Sequence, residues 1–341
     1  MSEPILIWGA GAIGGALGAF WARAGHDVLM VDVVAEHVAA IRTEGLSIEG
    51  PVAEFRQKTA AAIPDELTGT FSRVVLAVKA QHTADACRML LPHLAGDGFV
   101  LSAQNGLNEL VIASIVGQQR TMGAFVNFGA DWIAPGRILY GNRGAVVVGE
   151  IDGSIRERTR AMHELLTAFD ADAVLTDDIW GYLWGKLAYG AMLFATALNN
   201  DTMAENFADP GRFAVFDRLA REVYRVAAAR QVMPRGFNGF EPAAFAADAP
   251  ESGARRSIAD LAEFNRHTAK THSGIWRDLA VRKRRTEADA QLGIIGDLGR
   301  EAGIETPMLA RLVELIHGIE DGRLRQGPET FAMLAQTAAM R

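Results

Sequence analysis

The sequence predicts an α/β fold, a Rossmann-type doubly wound sheet, followed by an all-helical C-terminal domain. Three observations predict it. A glycine-rich turn joins the first apolar run to the first helix-patterned segment, β-rich runs then alternate with helical ones, and after Asp178 the strand signal stops while helical periodicity continues. Alternation of this kind gives a parallel sheet covered by helices on both faces. The two domains are expected at 1–177 and 178–341.

Each element follows from its own pattern. Residues 4–8 (PILIW) are a short apolar run ended by glycines, and 12–24 carry small and apolar residues at helical spacing up to Gly25: strand, tight turn, helix. HDVLMVD (26–32) is a second strand and 35–43 a second helix, which completes a βαβ unit. RVVLAVK (73–79), GFVLSAQN (98–105) and TMGAFVNF (121–128) read as further buried strands, with helices near 82–94 and 107–116. In ILYGNRGAVVVGE (138–150) two short runs flank a Gly/Asn turn, which predicts a hairpin or an edge addition to the sheet. Helices are then expected over 178–199, 211–231, 255–281, 285–303 and 307–319, with 234–251, rich in Pro, Gly and Ala, a loop holding one short helix.

Composition narrows the function classes. The 341 residues are 49% hydrophobic and 22% charged, enough for two cored domains. A net charge of −7 argues against a general polyanion binder, so no nucleic-acid partner is expected, although five bases crowd between Arg277 and Arg285. The single cysteine, Cys87, excludes an internal disulfide and fits a reducing compartment. No spaced His/carboxylate or Cys pair predicts a metal site. The longest apolar stretch, Leu187 to Leu198, is broken by Tyr189, Gly190 and Thr196, so no membrane span is expected and the protein is placed in the cytoplasm.

The turn itself reads Gly9-x-Gly11-x-x-Gly14 between a strand and a helix. Gly9 permits the tight turn, Gly11 lets a pyrophosphate approach the backbone, and Gly14 lets helix and strand pack closely. The helix start, Ala12 and Ile13 included, offers unpaired N–H groups and positive dipole to phosphates. Asp32 ends the second strand, where a carboxylate accepts the ribose hydroxyls of a dinucleotide. Residues 33–41 contain no Lys or Arg to meet a 2′-phosphate, so NAD(H) is favoured, with NADP(H) the alternative through Arg42.

Five further landmarks, AVKAQHT (77–83), SAQNGL (102–107), YLWGKL (182–187), HSGIWRDL (272–279) and RRTEAD (284–289), accompany GAGAIGG over nearly the whole chain. Together they resemble the ketopantoate reductase family (2-dehydropantoate 2-reductases), within the wider 6-phosphogluconate-dehydrogenase-like oxidoreductases. The resemblance implies a Rossmann-type dinucleotide-binding domain, a helical substrate-binding and dimerisation domain, a cleft between them, and a homodimer. It implies Lys186 as catalytic lysine with Glu287 as its acidic partner, Lys79 and Asn105 beside cofactor and substrate, and Ser273 on the substrate carboxylate. Arg277 is a candidate for a bidentate pair with that carboxylate, the other arginines forming a solvated helix face. The chemistry suits these residue types: reduction of a ketone needs a hydride and a proton, and an ammonium both supplies the proton and steadies the growing alkoxide.

One departure concerns the substrate. Pantoate-forming members carry asparagines four and eight residues after the lysine, where this chain has Gly190 and Phe194. Asn199, with Asn200, is the candidate replacement contact. The expected activity is therefore hydride transfer between nicotinamide and a small, anionic 2-oxo or 2-hydroxy acid, with Lys186 as general acid/base. The alternatives are a larger or more apolar hydroxy compound, and a dinucleotide-sensing protein without turnover.

Overall fold

Burial on both faces is set within the first strand. In the computed structural model, which describes residues 3–237, 239–268 and 270–340, β1 (Ile5–Trp8) sends Ile5 and Ile7 into one apolar cluster and Leu6 and Trp8 into another. A strand with no polar face fits only the middle of a covered sheet. The chain divides into two compact units, Met1–Ile179 and Trp180–Arg341.

In the first unit β1 is followed by α1 (Ala12–Arg23), β2 (Val28–Val31), α2 (Ala35–Glu44), β3 (Leu46–Glu49), β4 (Phe55–Gln57), β5 (Ala60–Ala62) and β6 (Phe71–Leu76). Next come α3 (Thr83–Leu90), β7 (Leu94–Ser102), α4 (Asn108–Val116), β8 (Thr121–Val126), β9 (Gly129–Ala134), β10 (Arg137–Asn142), β11 (Val146–Glu150), α5 (Glu157–Phe169) and β12 (Val174–Leu175). Among the described residues the main sheet has eight strands in the order β12-β11-β8-β7-β6-β1-β2-β5. It is parallel except where β11 runs antiparallel to β8. The order reverses at β1, which lies between β6 and β2, and a reversal of this kind opens a crevice at the carboxyl ends of the strands.

Two readings need correction. Of the two forms expected for 138–150, the hairpin does not form, since β10 joins a second sheet, β4-β3-β10-β9, whereas β11 is added to the main sheet beside β8, near its edge. At the intervening turn the chain packs closely against the end of β8, where a Cβ on Gly144 would lie 2.1 Å from Asn127 O. The short strands β3, β4 and β5, and also α5 and β12, have no counterpart in the expected elements; at two to four residues such strands carry too little periodicity to read.

The second unit is helical: α6 (Ile179–Thr196), α7 (Met203–Ala208), α8 (Phe213–Ala229), α9 (Glu251–Arg266), α10 (Gly274–Ala280), α11 (Ile294–Glu301), α12 (Pro307–Glu320) and α13 (Pro328–Ala339). One π-turn, Asp289–Gly293, leads into α11, and a short 3₁₀ turn, Pro242–Phe245, lies in the expected loop. The helix expected over 255–281 is broken between Arg266 and Gly274, and α7 and α13 were not expected. The basic run is not a helix face either. Past Ala280 it is a loop in which Arg282 and Arg284 both pair with Asp278 (2.9 and 2.8 Å) and Arg285 pairs with Asp321 (2.8 Å). Among the described residues no helix is long and apolar enough to cross a membrane.

Glu222, on α8 and 3% exposed, holds the helical unit together at one point. Its two carboxylate oxygens accept from Met308 N and Leu309 N, both at 2.9 Å, which caps the start of α12. Burial pushes this carboxyl above the usual carboxylate range, against the lowering effect of the two N–H groups. Glu222→Ala would leave two buried donors without an acceptor and is expected to cost about 2–4 kcal/mol. A lower urea midpoint at unchanged m-value checks it; an unaltered midpoint would show the cap to be dispensable.

Candidate functional site

Four adjacent parallel strands end on one edge of the main sheet, and each hands the chain to a residue singled out by the sequence. Gly9 follows β1, Asp32 follows β2, Lys79 lies three residues past β6 and Asn105 three past β7. The ladder continues just beyond the strands, through Gly9 N to Val31 O (2.8 Å), Ala77 N to Trp8 O (2.9 Å) and Ala103 N to Leu76 O (2.9 Å). The four loops therefore leave the sheet together.

The glycine turn is sterically determined. Gly9 has φ +100°, and a Cβ there would lie 2.8 Å from Val78 N; one on Gly14 would lie 2.2 Å from Gly9 O. Over Gly11, by contrast, nothing lies within 4 Å of where a Cβ would be. Gly11 is the N-cap of α1, no side chain caps the helix, and its first turn holds no acid. Its leading N–H groups, those of Ala12 and Ile13 among them, lack partners within the helix and face a cradle bare of side chains. Asp32 accepts from Val34 N through Oδ1 (2.9 Å), and among the described residues no other donor is recorded on its carboxylate. This donor set fits the pyrophosphate and ribose of a dinucleotide.

Two supports for this edge were not read from the sequence. Gln104 Nε2 donates to Val78 O and to Thr83 Oγ1, both at 2.8 Å, and so ties the loop after β7 to the loop after β6. Thr83 Oγ1 lies 2.9 Å from Asn108 Oδ1, and Asn108 Nδ2 donates to Asn105 O at 2.7 Å. This chain of bonds fixes the backbone on which Lys79 and Asn105 sit. The second support is His37, 1% exposed on α2. Nε2 lies 2.8 Å from Ala10 O and Nδ1 lies 2.9 Å from Gly136 N. A carbonyl only accepts and a backbone N–H only donates, so Nε2 carries the proton and Nδ1 accepts. The imidazole thereby links the glycine turn to the second sheet. Its signal in the sequence was faint, a histidine at a core position of a short helix.

In the helical unit α6 is buried over most of its surface, but Tyr182, Lys186, Gly190 and Leu193 remain partly exposed. Their spacing places them on one stripe of the helix. Lys186 is therefore a charge on the open side of an otherwise apolar helix. Glu287 is partly exposed just ahead of the π-turn, and its carbonyl accepts from Gln291 N (2.9 Å). Arg277 is partly buried on α10.

The remaining substrate candidates are placed differently. Phe194 is fully buried, which gives its ring to the core of the unit and argues against a lining role. Asn199 is 2% exposed and its amide is engaged internally: Nδ2 donates to Asn206 Oδ1 (2.9 Å), while Oδ1 accepts from Asp201 N (2.9 Å) and Asn206 Nδ2 (3.1 Å). It organises the turn after α6, so the expected replacement contact is not found there. Ser273 is the N-cap of α10, accepting from Trp276 N at 3.1 Å, and its O–H proton remains able to donate to another partner.

Comparison with known proteins gives this arrangement a frame. Residues 5–153 match the family model "Ketopantoate reductase PanE/ApbA" and residues 178–320 match "Ketopantoate reductase PanE/ApbA C terminal". The chain belongs to the ketopantoate reductase family. Among relatives, the 2-dehydropantoate 2-reductase of Archaeoglobus fulgidus is 28% identical over 322 residues, covering 94% of this chain and 99% of the relative. That of Mesorhizobium japonicum is 28% identical over 338 residues, covering 92% and 96%. Among solved structures, a PanE/ApbA family ketopantoate reductase from Ralstonia eutropha JMP134 has a TM-score of 0.78 at 26% identity, covering 94% of this chain and 99% of that one. A D-mandelate dehydrogenase with NADH and anilino(oxo)acetate has a TM-score of 0.80 at 24% identity, covering 94% and 98%; at that identity the likeness concerns the fold. Membership makes the protein an oxidoreductase of the ketopantoate reductase type, acting on a CH–OH group.

Within this family frame the glycine turn yields a contrast in stability. Gly14→Ala would drive a Cβ against backbone and is expected to cost about 1–3 kcal/mol, whereas Gly11→Ala meets open space and should cost less than about 1 kcal/mol. Paired thermal melts check this. Equal losses for the two variants would contradict the packing.

Proposed function

We propose that the protein is a nicotinamide-dinucleotide-dependent reductase of a small 2-oxo acid, with NAD(H) the preferred cofactor and Lys186 the general acid. The reading is carried by Lys186, a charged side chain on the partly exposed stripe of a helix that is otherwise mostly buried. Bound nicotinamide would supply the hydride to the carbonyl carbon. The Lys186 ammonium would donate a hydrogen bond to the carbonyl oxygen, steady the charge that grows there, and pass its proton to that oxygen. In the reverse direction neutral Lys186 would take the hydroxyl proton. Glu287 would orient the ammonium, in the manner of a carboxylate that holds an acid/base in place. Ser273 and Arg277 are the candidates for the substrate carboxylate, and Lys79 and Asn105 would border nicotinamide and substrate.

For the cofactor, Gly11, Ala12 and Ile13 would face the pyrophosphate and Asp32 the adenosine ribose. The preference for NAD(H) is supported by what surrounds Asp32. Val33 and Val34 are exposed and apolar. Arg42, the first arginine after Asp32 in the chain, donates through Nε to Ala61 O (2.6 Å) and pairs with Glu66. A 2′-phosphate at Asp32 would meet like charge from a carboxylate while Arg42 is already engaged.

Two substitutions test separate parts. Asp32→Ala is expected to weaken NADH binding about tenfold and to narrow the gap to NADPH, read by fluorescence titration of both; an unchanged ratio would remove Asp32 from the ribose. Lys186→Ala is expected to lower kcat by at least about a hundredfold in NADH-coupled reduction of 2-oxo acids, with the NADH Kd unchanged. Retention of kcat would rule out Lys186 as the acid.

A further inference from the structure

Gly190 lies one helical turn beyond Lys186 on the same stripe of α6, and it leaves a gap in the side-chain cover of the helix. A Cβ built on Gly190 would meet one neighbour, Gln291 Oε1, at 4.0 Å. The carboxamide of Gln291 thus hangs over the bare backbone next to the lysine. It is partly exposed, its backbone N donates to Glu287 O, and among the described residues its side chain makes no hydrogen bond. Asn199, Asn206 and Gln326 of the same unit, by contrast, each place the side-chain amide in a bond within the fold.

The backbone around Gln291 adds a second observation. Residues Asp289–Gly293 form a π-turn, one residue wider than the helix that follows. Such a turn sacrifices regular helical hydrogen bonding and recurs where a side chain must be re-aimed at a functional site. Here it holds Gln291 toward Gly190, with His317 Nε2 2.9 Å from Asp289 Oδ2 at the turn's start.

We infer that Gln291 is a specificity-determining residue, whose carboxamide hydrogen-bonds a hydroxyl or similar polar group on the substrate's carbon chain beyond the ketone, in the space left by Gly190. The inference rests on the proposed role of Lys186 and names what the adjacent room receives. A primary amide both donates and accepts, which suits a hydroxyl, and a site built to bond a hydroxyl discriminates strongly against an analogue without it.

The test uses two 2-oxo acids that differ by one hydroxyl, 2-dehydropantoate and trimethylpyruvate, with the full-length wild type, Gln291→Leu, Gln291→Asn and Lys186→Ala. Gln291→Leu is expected to lower kcat/KM for 2-dehydropantoate at least about tenfold and to change that for trimethylpyruvate less than about twofold, with NADH affinity preserved. Gln291→Asn should recover part of the loss. Equal effects on the two acids, or none on either, would overturn the role of Gln291 while leaving Lys186 in place. A wild type that reduces neither acid, or a Lys186→Ala variant that still reduces both, would overturn the proposed function and this inference with it.

Discussion

A parallel sheet buried on both faces can meet a ligand only along the edge where its strands end. Ile5 and Ile7 point into one core and Leu6 and Trp8 into the other, so β1 has no face to spare for chemistry. What remains is the row of carboxyl ends, where backbone groups outrun their partners and polar side chains become affordable. The positions of Gly9, Asp32, Lys79 and Asn105 follow from that constraint, each a short step past the end of a neighbouring strand.

A row of loops is a weak scaffold unless something fixes it, and here polar side chains do so from within the unit. Gln104, Thr83 and Asn108 bind the loops after β6 and β7 to each other, and His37 binds the glycine turn to the second sheet. These groups are buried, where an unsatisfied polar atom is costly, so each bond also excludes alternative loop conformations. The residues that would touch a ligand and the residues that hold them are therefore distinct sets, and the second set was invisible to motif reading. Gln104 sits in the middle of the SAQNGL landmark, yet its neighbour Asn105 was the one singled out, because only the three-dimensional course of the chain brings Gln104 to Val78 and Thr83.

The parts legible in the sequence were those in which a local pattern has one physical solution. GAGAIGG after an apolar strand leaves little but a tight turn opening a helix, and the steric account of Gly9 and Gly14 repeats what spacing implied. Longer alternating elements were legible for the same reason. The hairpin expected at 138–150 failed because pairing of two short runs depends on which partner lies nearest: β10 found β9 and β3, and β11 found β8. In the helical unit periodicity cannot report where a helix restarts, so the break before Ser273 was missed although the cap residue itself was marked. Asn199 shows the opposite error. A polar residue next to a presumed site looked like a ligand contact, whereas in the sharp turn after α6 its carbonyl oxygen accepts two bonds and its NH2 donates to Asn206.

The same logic bears on α6. A helix carrying Leu183, Trp184, Leu187 and Ala188 in the buried part of its surface sets its one lysine on the partly exposed side, which spares the ammonium the full cost of burial. The open stripe is thus fixed by the apolar residues before any functional demand is made of it. Placing glycine rather than a polar side chain one turn beyond that lysine removes a contact and creates volume at once. Any polar recognition there would have to come from another element, and the Gln291 carboxamide lies 4.0 Å from where a Cβ on Gly190 would stand. Under the proposed role of Lys186, Gly190 and Gln291 would act together, the one leaving room beside the helix and the other offering a carboxamide to it.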